Sequence, residues 1–149
     1  MSEKIGSMTL AELSKRMQDI DFAMMLTHTE AGRIAGRPMS NNGDVEYRGD
    51  SFFFTWEHAR TVGDIERDPK ITLAYQANKS LLGKPGIMIT VEGDAELIRE
   101  KSELKAHWVP ELDRWFEQGI DTPDVVMIKV HATRIHYWDG MEEGEVSLS

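Results

Sequence analysis

The residues with the clearest chemical character lie in a link between two strand-like segments. His58, Arg60 and Thr61 follow the segment "DSFFFTW", and the helix-like stretch "VGDIER" begins directly after them. A helix start presents free backbone N–H groups and the positive end of the helix dipole, and both attract a phosphate. Arginine adds a charge-assisted contact to the phosphate, and threonine adds a hydroxyl donor. The link therefore predicts an anion site, and the alternative is that Thr61 only caps the helix while Arg60 is solvated.

The elements that would position this link are mostly strands. Thr9 and Glu12 have capping-box spacing, which predicts a helix over "TLAELSKRMQDI". Pro38 lacks an N–H and predicts an edge strand, whereas Gly93 predicts a bulge or bend. Alternating patterns and turn residues predict the remaining strands. These strands are "FAMMLTHT", "IAGRPMS", "DSFFFTW", "ITLAYQ", "IMITVEGDAELI", and one or two within "VVMIKVHATRIHYWDG".

The order of these elements predicts an α+β fold. "NNGD" at residues 41–44 is a turn signal between two strands, and "REKSELKAHWVPELDRWFEQG" is helical, with Pro110 in the first turn of a second helix. Six or seven mostly antiparallel strands with flanking helices indicate a closed or split β-barrel. We expect one domain over residues 1–149. Residues 1–8 and the acidic end 141–149 are expected to be flexible, and "MEEGEVSLS" to be disordered.

Composition excludes several classes of function. The chain has a formal net charge of −9, which argues against a nucleic-acid-binding protein and against binding to an anionic membrane. It has no cysteine, so disulfides, thiol catalysis and cysteine-ligated metals are excluded. No stretch approaches the roughly 20 apolar residues of a membrane span. The N-terminus shows no apolar run typical of a signal peptide, and the cytoplasm is the expected location.

Common catalytic motifs are missing from the sequence. None of the five histidines forms an HxxxH or HExxH pair, so a metal site is not expected. Gly-x-Ser-x-Gly, GxGxxG and P-loop patterns are also absent. Since no side chain stands out as an acid, base or nucleophile, the sequence assigns no catalytic residue.

The sequence resembles the pyridoxamine 5′-phosphate oxidase-like, FMN-binding split-barrel superfamily. "FFTWEHARTVGDIERDPKITLAY" is similar to the phosphate-binding segment of that superfamily, and "GRPMS" to the strand that precedes it. "VEGDAEL" and "HYWDG" resemble later family elements, and "WVPELDRWFEQGIDTPDVVMIKV" resembles the general stress protein 26 branch. The resemblance covers residues 9–140, and the order and spacing of the pieces make it specific.

The resemblance implies an FMN-binding split barrel that forms a homodimer with two flavin sites at the subunit interface. Each implied contact belongs to a residue that matches a family motif. Arg37 would reach the phosphate or the ring edge, Pro38, Met39 and Ser40 would line the isoalloxazine, Phe54 and Thr55 would lie near the ribityl chain, Arg60 and Thr61 would hold the phosphate, and Trp138 would come from the second subunit.

Three departures from the family pattern argue against pyridoxamine-phosphate oxidation. Thr61 stands where most of these oxidases have lysine, and Met88 stands where they have glutamine. The true oxidases also carry an Arg-x-His segment after the tryptophan element, and it grips the substrate. Here neither arginine nor histidine follows His136, and an acidic segment is a poor clamp for a phosphorylated substrate.

The resulting hypothesis is a flavin-binding general stress protein, possessing or lacking oxidoreductase activity. Any redox chemistry would belong to the flavin, with the protein supplying position and polarity. The alternatives are a non-enzymatic flavin carrier or sensor, a structural dimer without cofactor, and the use of FAD or a deazaflavin in place of FMN.

Overall fold

The computed structural model describes residues 4–5, 7–41 and 46–148. Within these residues, eight strands form one sheet and three α-helices flank it. The strands are β1 (Lys4–Ile5), β2 (Phe22–His28), β3 (Ile34–Ser40), β4 (Asp50–Trp56), β5 (Lys70–Gln76), β6 (Met88–Ile98), β7 (Val125–Asp139) and β8 (Glu142–Ser147). The helices are α1 (Leu10–Gln18), α2 (Arg60–Arg67) and α3 (Lys101–His107), followed by 3₁₀ segments at Pro110–Arg114 and Gly119–Asp121. The α+β class and the strand-rich architecture are confirmed.

The sheet curls into a barrel that stays open between β3 and β4. The hydrogen-bonded order is β1-β8-β7-β6-β5-β2-β3, and β4 pairs with the first half of the long strand β7. All pairings are antiparallel except that of the two-residue β1 with β8. β3 and β4 are therefore edge strands, so the missing N–H of Pro38 costs no ladder hydrogen bond in the interior of the sheet, as predicted.

Alternation along the strands builds the core. Ala23, Met25 and Thr27 of β2 are buried, while the residues between them point outward. Gly93 marks a shift in register between β6 and β7, which confirms the predicted bulge. A Cβ at this position would lie 2.5 Å from the carbonyl oxygen of His131, so the close approach of the two strands requires glycine.

Helix α1 closes one end of the barrel and fixes the end of β3. Thr9 caps it by accepting a hydrogen bond from the N–H of Glu12, as the capping-box spacing predicts. The amide of Asn41 donates to the carbonyl oxygens of Met17 and Ile20, each at 2.8 Å. The strand "IAGRPMS" is thereby anchored to the end of α1. The rest of the predicted turn at residues 41–44 lies outside the described residues.

The expected disorder of the chain end is wrong for Glu142–Ser147, which form β8. Gly144 lies against the ring of buried Tyr137, where a Cβ would come within 2.3 Å of the hydroxyl oxygen. Val146 and Leu148 pack against the core. Apolar burial at every second position therefore orders this segment in spite of its acidic composition.

The helical region before β7 is shorter and tighter than predicted. α3 ends at His107, and Pro110 begins a 3₁₀ segment in place of a second α-helix. Proline at a helix start is favourable because its missing N–H would have no intrahelical partner there. Among the described residues, no helix is long and apolar enough to cross a bilayer.

Candidate functional site

The start of α2 leaves backbone donors free. The helix begins at Arg60 with Ala59 as its N-cap, and no side chain caps it. The predicted alternative role of Thr61 as the cap is therefore wrong. The N–H groups of Arg60 and Thr61 donate to no atom of the part of the chain that the structure describes. Free donors at the positive end of a helix are suited to an anion.

One buried carboxylate organises the surroundings of this helix start. Asp64 is 3% exposed and accepts hydrogen bonds from the hydroxyl of Thr27 at 2.9 Å and from Arg67 at 2.8 Å. The guanidinium of Arg37 lies 3.6 Å from the same carboxylate and donates to Thr27 Oγ1 at 2.7 Å. The carboxylate thereby connects α2 to β2 and β3, and burial of its charge is compensated by two arginines.

Asp64 contacts Arg37 and Arg67, and the charge of Arg60 lies near Arg37; we call these four residues the arginine cluster. Burial lowers the pKa of Arg37, Asp64 opposes this change, and the nearby charge of Arg60 adds to it. Arg60 itself is exposed and forms no ion pair or hydrogen bond with any residue that the structure describes. The cluster carries more positive than negative charge in a strongly acidic chain, which is an electrostatic environment suited to an anion.

A second ion network holds the link between β4 and α2. Arg99, just beyond β6, donates to Glu57 at 2.9 Å and to Glu66 at 2.8 Å. The hydrogen bond from Arg99 lowers the pKa of Glu57, and the same bond raises the pKa of Arg99. The N–H of Glu57 also donates to the carbonyl oxygen of Asp124 at 2.7 Å. Both ends of α2 are therefore attached to the sheet.

A groove of about 860 Å³ lies at the opening between β3 and β4. This volume is within the range of small-molecule sites, roughly 300–1,000 Å³. Its walls come from the ends of α1 and β3 on one side, and from β4, α3 and the Pro110–Arg114 segment on the other. Five residues that the sequence predicts as flavin contacts line it: Pro38, Met39, Ser40, Phe54 and Thr55.

The wall on the β4 side is aromatic. Phe54 and Trp108 meet edge to face with ring centroids 5.0 Å apart, and Phe116 lies 4.9 Å from Trp56 and 5.5 Å from Trp108. Phe52, Phe54 and Trp56 occupy alternate positions of β4, so one face of the strand carries all three rings. Phe52 stacks on His107 at 3.7 Å. These contacts fix α3 and the 3₁₀ segment on β4.

Trp138 lies on the outer face of the sheet, away from the groove. It pairs with Met88 across β6 and β7 and stacks on His136 at 4.2 Å. Phe22 and Met24 on β2 also point outward, and all of these apolar side chains are between 38% and 56% exposed. The sheet therefore presents an apolar outer face that this chain does not cover.

The structure brings the predicted residues together in two groups. The arginine cluster contains Arg37 and Arg60 with Thr61 beside them, and the groove contains the five residues from β3 and β4. The two groups adjoin, because Arg37 lies two positions from Met39 on the same face of β3, and a three-residue link joins Trp56 to Arg60. Trp138 joins neither group within one chain. Whether any of these residues contacts a flavin stays a prediction.

Sequence reasoning missed Asp64 and the aromatic wall. The spacing Arg60, Asp64, Arg67 places all three side chains on one face of a helix, and this was the available signal for the cluster. The alternation of Phe52, Phe54 and Trp56 was the signal for the wall. Among the residues that the structure describes, no group of three or more histidines and acidic side chains is arranged to hold a metal ion.

Comparison with solved structures places the fold among known proteins. A protein from Clostridium acetobutylicum related to general stress protein 26 of B. subtilis superposes with a TM-score of 0.78 at 18% identity, with 93% of this chain and 94% of that chain covered. The general stress FMN/FAD binding protein of Xanthomonas citri superposes with a TM-score of 0.69 at 18% identity, with 94% of this chain and 92% of that chain covered. A heme binding protein from Mycobacterium smegmatis superposes with a TM-score of 0.72 at 16% identity, with 96% of this chain and 60% of that chain covered. At these identities the likeness shows the fold.

Sequence comparison adds a curated relative and a family. Protein bli-3 of Neurospora crassa is 24% identical over 135 residues, which cover 85% of this chain and 62% of that protein. This chain therefore spans less than two thirds of the curated relative that it matches. The family model described as pyridoxamine 5′-phosphate oxidase like matches residues 9–148. With almost the whole chain matched and the split-barrel fold in place, this protein belongs to the pyridoxamine 5′-phosphate oxidase-like family.

Proposed function

We propose that this protein binds a flavin nucleotide, with FMN as the first candidate. The observation that carries the proposal is the uncapped start of α2, where free N–H groups lie beside Arg60, a guanidinium with no hydrogen bond or ion pair to any described residue. A phosphate needs donors and positive charge, and both are present here. Family membership and the FMN/FAD binding protein of Xanthomonas citri support the same ligand class.

The proposed contacts divide between the two regions. Arg60, Thr61 and the first-turn N–H groups would hold the phosphate, and Phe54 and Thr55 would line the ribityl chain. Pro38, Met39 and Ser40 would line the ring where β3 borders the groove. Arg37 would act on the phosphate from the side of β3, where Thr27 and Asp64 fix its orientation. A bound flavin would supply hydride or electron transfer, and this chain would supply position and charge.

We also propose that the protein is a homodimer. The outer sheet face exposes Phe22, Met24, Met88 and Trp138, and several large apolar side chains exposed on one face of a sheet are typical of an interaction surface. A second copy on this face would place its Trp138 at the interface, and Phe22 of this face also lines the groove. Sedimentation of the wild type should give the mass of two chains, and Met24→Glu should shift it toward one. Met141→Glu, an equally large change in the exposed turn after β7, should leave the dimer intact.

The strand order near Trp138 argues against a phosphorylated substrate. Glu143 pairs with Trp138 across β7 and β8, and Glu145 pairs with His136. Three acidic side chains of β8 thus follow the tryptophan element, in the part of the chain where the resemblance to the true oxidases would call for a basic clamp. Pyridoxamine-phosphate oxidation is therefore not part of the proposal.

Titration of the purified protein with FMN, followed by flavin fluorescence, tests the proposal. Quenching at micromolar concentrations with one FMN per chain is expected. Absence of quenching would contradict it, and so would protein that purifies with a haem spectrum and does not take up FMN. FAD and a deazaflavin, run as competitors, test the choice of nucleotide. Oxidation of NAD(P)H in the presence of FMN and candidate acceptors then separates an oxidoreductase from a carrier or sensor.

A further inference from the structure

We infer that the aromatic side of the groove binds a second molecule, a planar organic compound that is neutral or positively charged. Its role as a companion of the flavin rests on the proposed function, whereas its binding to the groove does not. The inference starts from the two walls of the groove. The residues assigned to the flavin ring, Pro38–Ser40, lie on the β3 side, and the aromatic wall lies opposite them.

The aromatic wall is prepared to stack on a flat ligand. Trp56 and Trp108 are half-buried and line the groove next to Phe54, the residue assigned to the ribityl chain, while Phe116 is 3% exposed and packs against both tryptophans. The indole N–H of Trp108 donates to Asp113 Oδ1 at 2.9 Å, which fixes the orientation of that ring. Rings that are held in place lose little conformational entropy when a ligand stacks on them.

The charges around the groove select the sign of the ligand. Among the described residues, four carboxylates line it, those of Asp21, Glu46, Asp50 and Glu111, against one guanidinium, that of Arg114. Asp50 contacts His131 and Glu46 contacts Arg48, whereas Asp21 and Glu111 form no ion pair with any residue that the structure describes. An anion would be repelled here, and a cation would gain from both the carboxylates and the faces of the rings.

The two regions therefore favour opposite charges. The arginine cluster suits the phosphate of a nucleotide, and the groove beside it suits a neutral or cationic ring. A phosphorylated second ligand would place its charge among the carboxylates of the groove. The partner molecule is accordingly assigned to the class of unphosphorylated, planar compounds.

Three naphthalene derivatives that differ only in charge test the inference. They are 2-naphthylmethylamine as the cation, 2-naphthylmethanol as the neutral compound and 2-naphthoate as the anion. Isothermal titration calorimetry should show that the cation and the neutral compound bind, and that the anion binds at least about tenfold more weakly, equivalent to 1.4 kcal/mol. Equal affinity for the anion, or no binding of any probe, would overturn the inference.

Variants connect the binding to named residues. Trp108→Leu should weaken the cation about tenfold, a loss typical of an aromatic stacking contact. Asp21→Asn combined with Glu111→Gln should reduce the difference in affinity between the cation and the anion. Both positions are exposed, so the fold is retained. Glu103→Gln removes one carboxylate charge from α3 outside the groove, and it should leave the difference in affinity between the cation and the anion unchanged. An equal effect of Glu103→Gln would contradict the assignment.

Repeating the titrations with saturating FMN separates the two proposals. Binding of the cation with and without FMN supports a separate place in the groove. Displacement of the cation by FMN in a one-to-one ratio would refute it while supporting flavin binding. If FMN does not bind but the cation still binds in a Trp108-dependent manner, the proposed function fails and this inference stands.

Discussion

The arginine cluster and the aromatic groove adjoin each other but are built by different forces. The cluster depends on one buried carboxylate, Asp64, which holds Arg37 and Arg67 and leaves Arg60 exposed. The groove depends on ring contacts between β4 and the segment that follows α3. Charge is thus concentrated at one end and apolar area at the other. An elongated ligand with an anionic end and a flat end matches this division.

The largest expected effect is a loss of stability when the aromatic wall of the groove is disrupted. Phe116→Ala removes the buried ring that supports Trp56 and Trp108, and loss of a buried phenylalanine costs about 4 kcal/mol of unfolding free energy. Urea denaturation measures the change. Trp115→Ala is the control in the adjacent position, and because Trp115 is 57% exposed its loss should be far smaller. Similar losses in both variants would mean that the wall is not a packed unit.

The next effect breaks the cluster. Asp64→Ala leaves Arg37 and Arg67 without their buried partner, and removal of one member of a buried pair costs about 3 kcal/mol. Glu66→Ala on the same helix breaks only the exposed pair with Arg99 and should cost less than about 1 kcal/mol. The same denaturation measurement compares them. Equal losses would show that Asp64 does not organise the cluster.

A third effect, smaller for each pH unit and each group, depends on two buried tyrosines, Tyr75 and Tyr47, of which Tyr47 lines the groove. Burial raises the pKa of Tyr75 to about 12 and also raises the pKa of Tyr47. Ser51 opposes the shift in Tyr75, although neither hydroxyl has a hydrogen-bond partner in normal geometry among the described residues. Both groups therefore stay protonated in the folded chain at a pH where the unfolded chain has begun to lose those protons.

The sign of the pH dependence follows from these raised pKa values. The contribution of these two tyrosines to the free energy of unfolding is fully present below about pH 10. It decreases as the pH rises toward 12, by up to about 1.4 kcal/mol per pH unit for each tyrosine. Urea denaturation at several alkaline pH values measures the slope. Tyr75→Phe should remove its part of the slope with little loss at neutral pH, because the hydroxyl has no hydrogen-bond partner of normal geometry in the part of the chain that the structure describes. An unchanged slope in that variant would contradict the assignment.

The smallest expected effect is the salt dependence of ligand affinity, which should differ between a ligand that reaches the arginine cluster and one that uses only the groove. Raising the salt concentration from about 0.05 to 0.5 M shortens the screening length and should weaken FMN severalfold. Riboflavin, which lacks the phosphate, should be almost unaffected because it uses only the groove. Fluorescence titrations measure both ligands. Equal salt dependence would indicate that the phosphate does not reach the arginine cluster.

Local patterns in the sequence predicted much of the sheet. The strands, the edge position of Pro38 and the bulge at Gly93 follow from alternation and from the backbone properties of proline and glycine. The end of the chain was missed because three glutamates conceal the alternation of Gly144, Val146 and Leu148. Composition is a weaker guide than period when the buried residues are few.

Local sequence patterns could not predict the contacts between segments that are distant in the chain. The approach of Arg37 to Asp64 depends on how β3 and α2 lie relative to β2, and one sequence does not show that placement. The groove forms because the segment after α3 folds back on β4, which is likewise a tertiary arrangement. The helix start at Arg60 was displaced in the prediction because Ala59 gives no capping signal.

The central claim is that the start of α2 binds the phosphate of a flavin nucleotide. The most direct measurement compares the dissociation constants of FMN and riboflavin for the wild type and for Arg60→Ala, by fluorescence titration at low salt. The claim predicts that Arg60→Ala weakens FMN about tenfold or more and leaves riboflavin unchanged, since a charge-assisted hydrogen bond contributes about 1.5–3 kcal/mol. An equal change for both ligands, or no change for FMN, would contradict it.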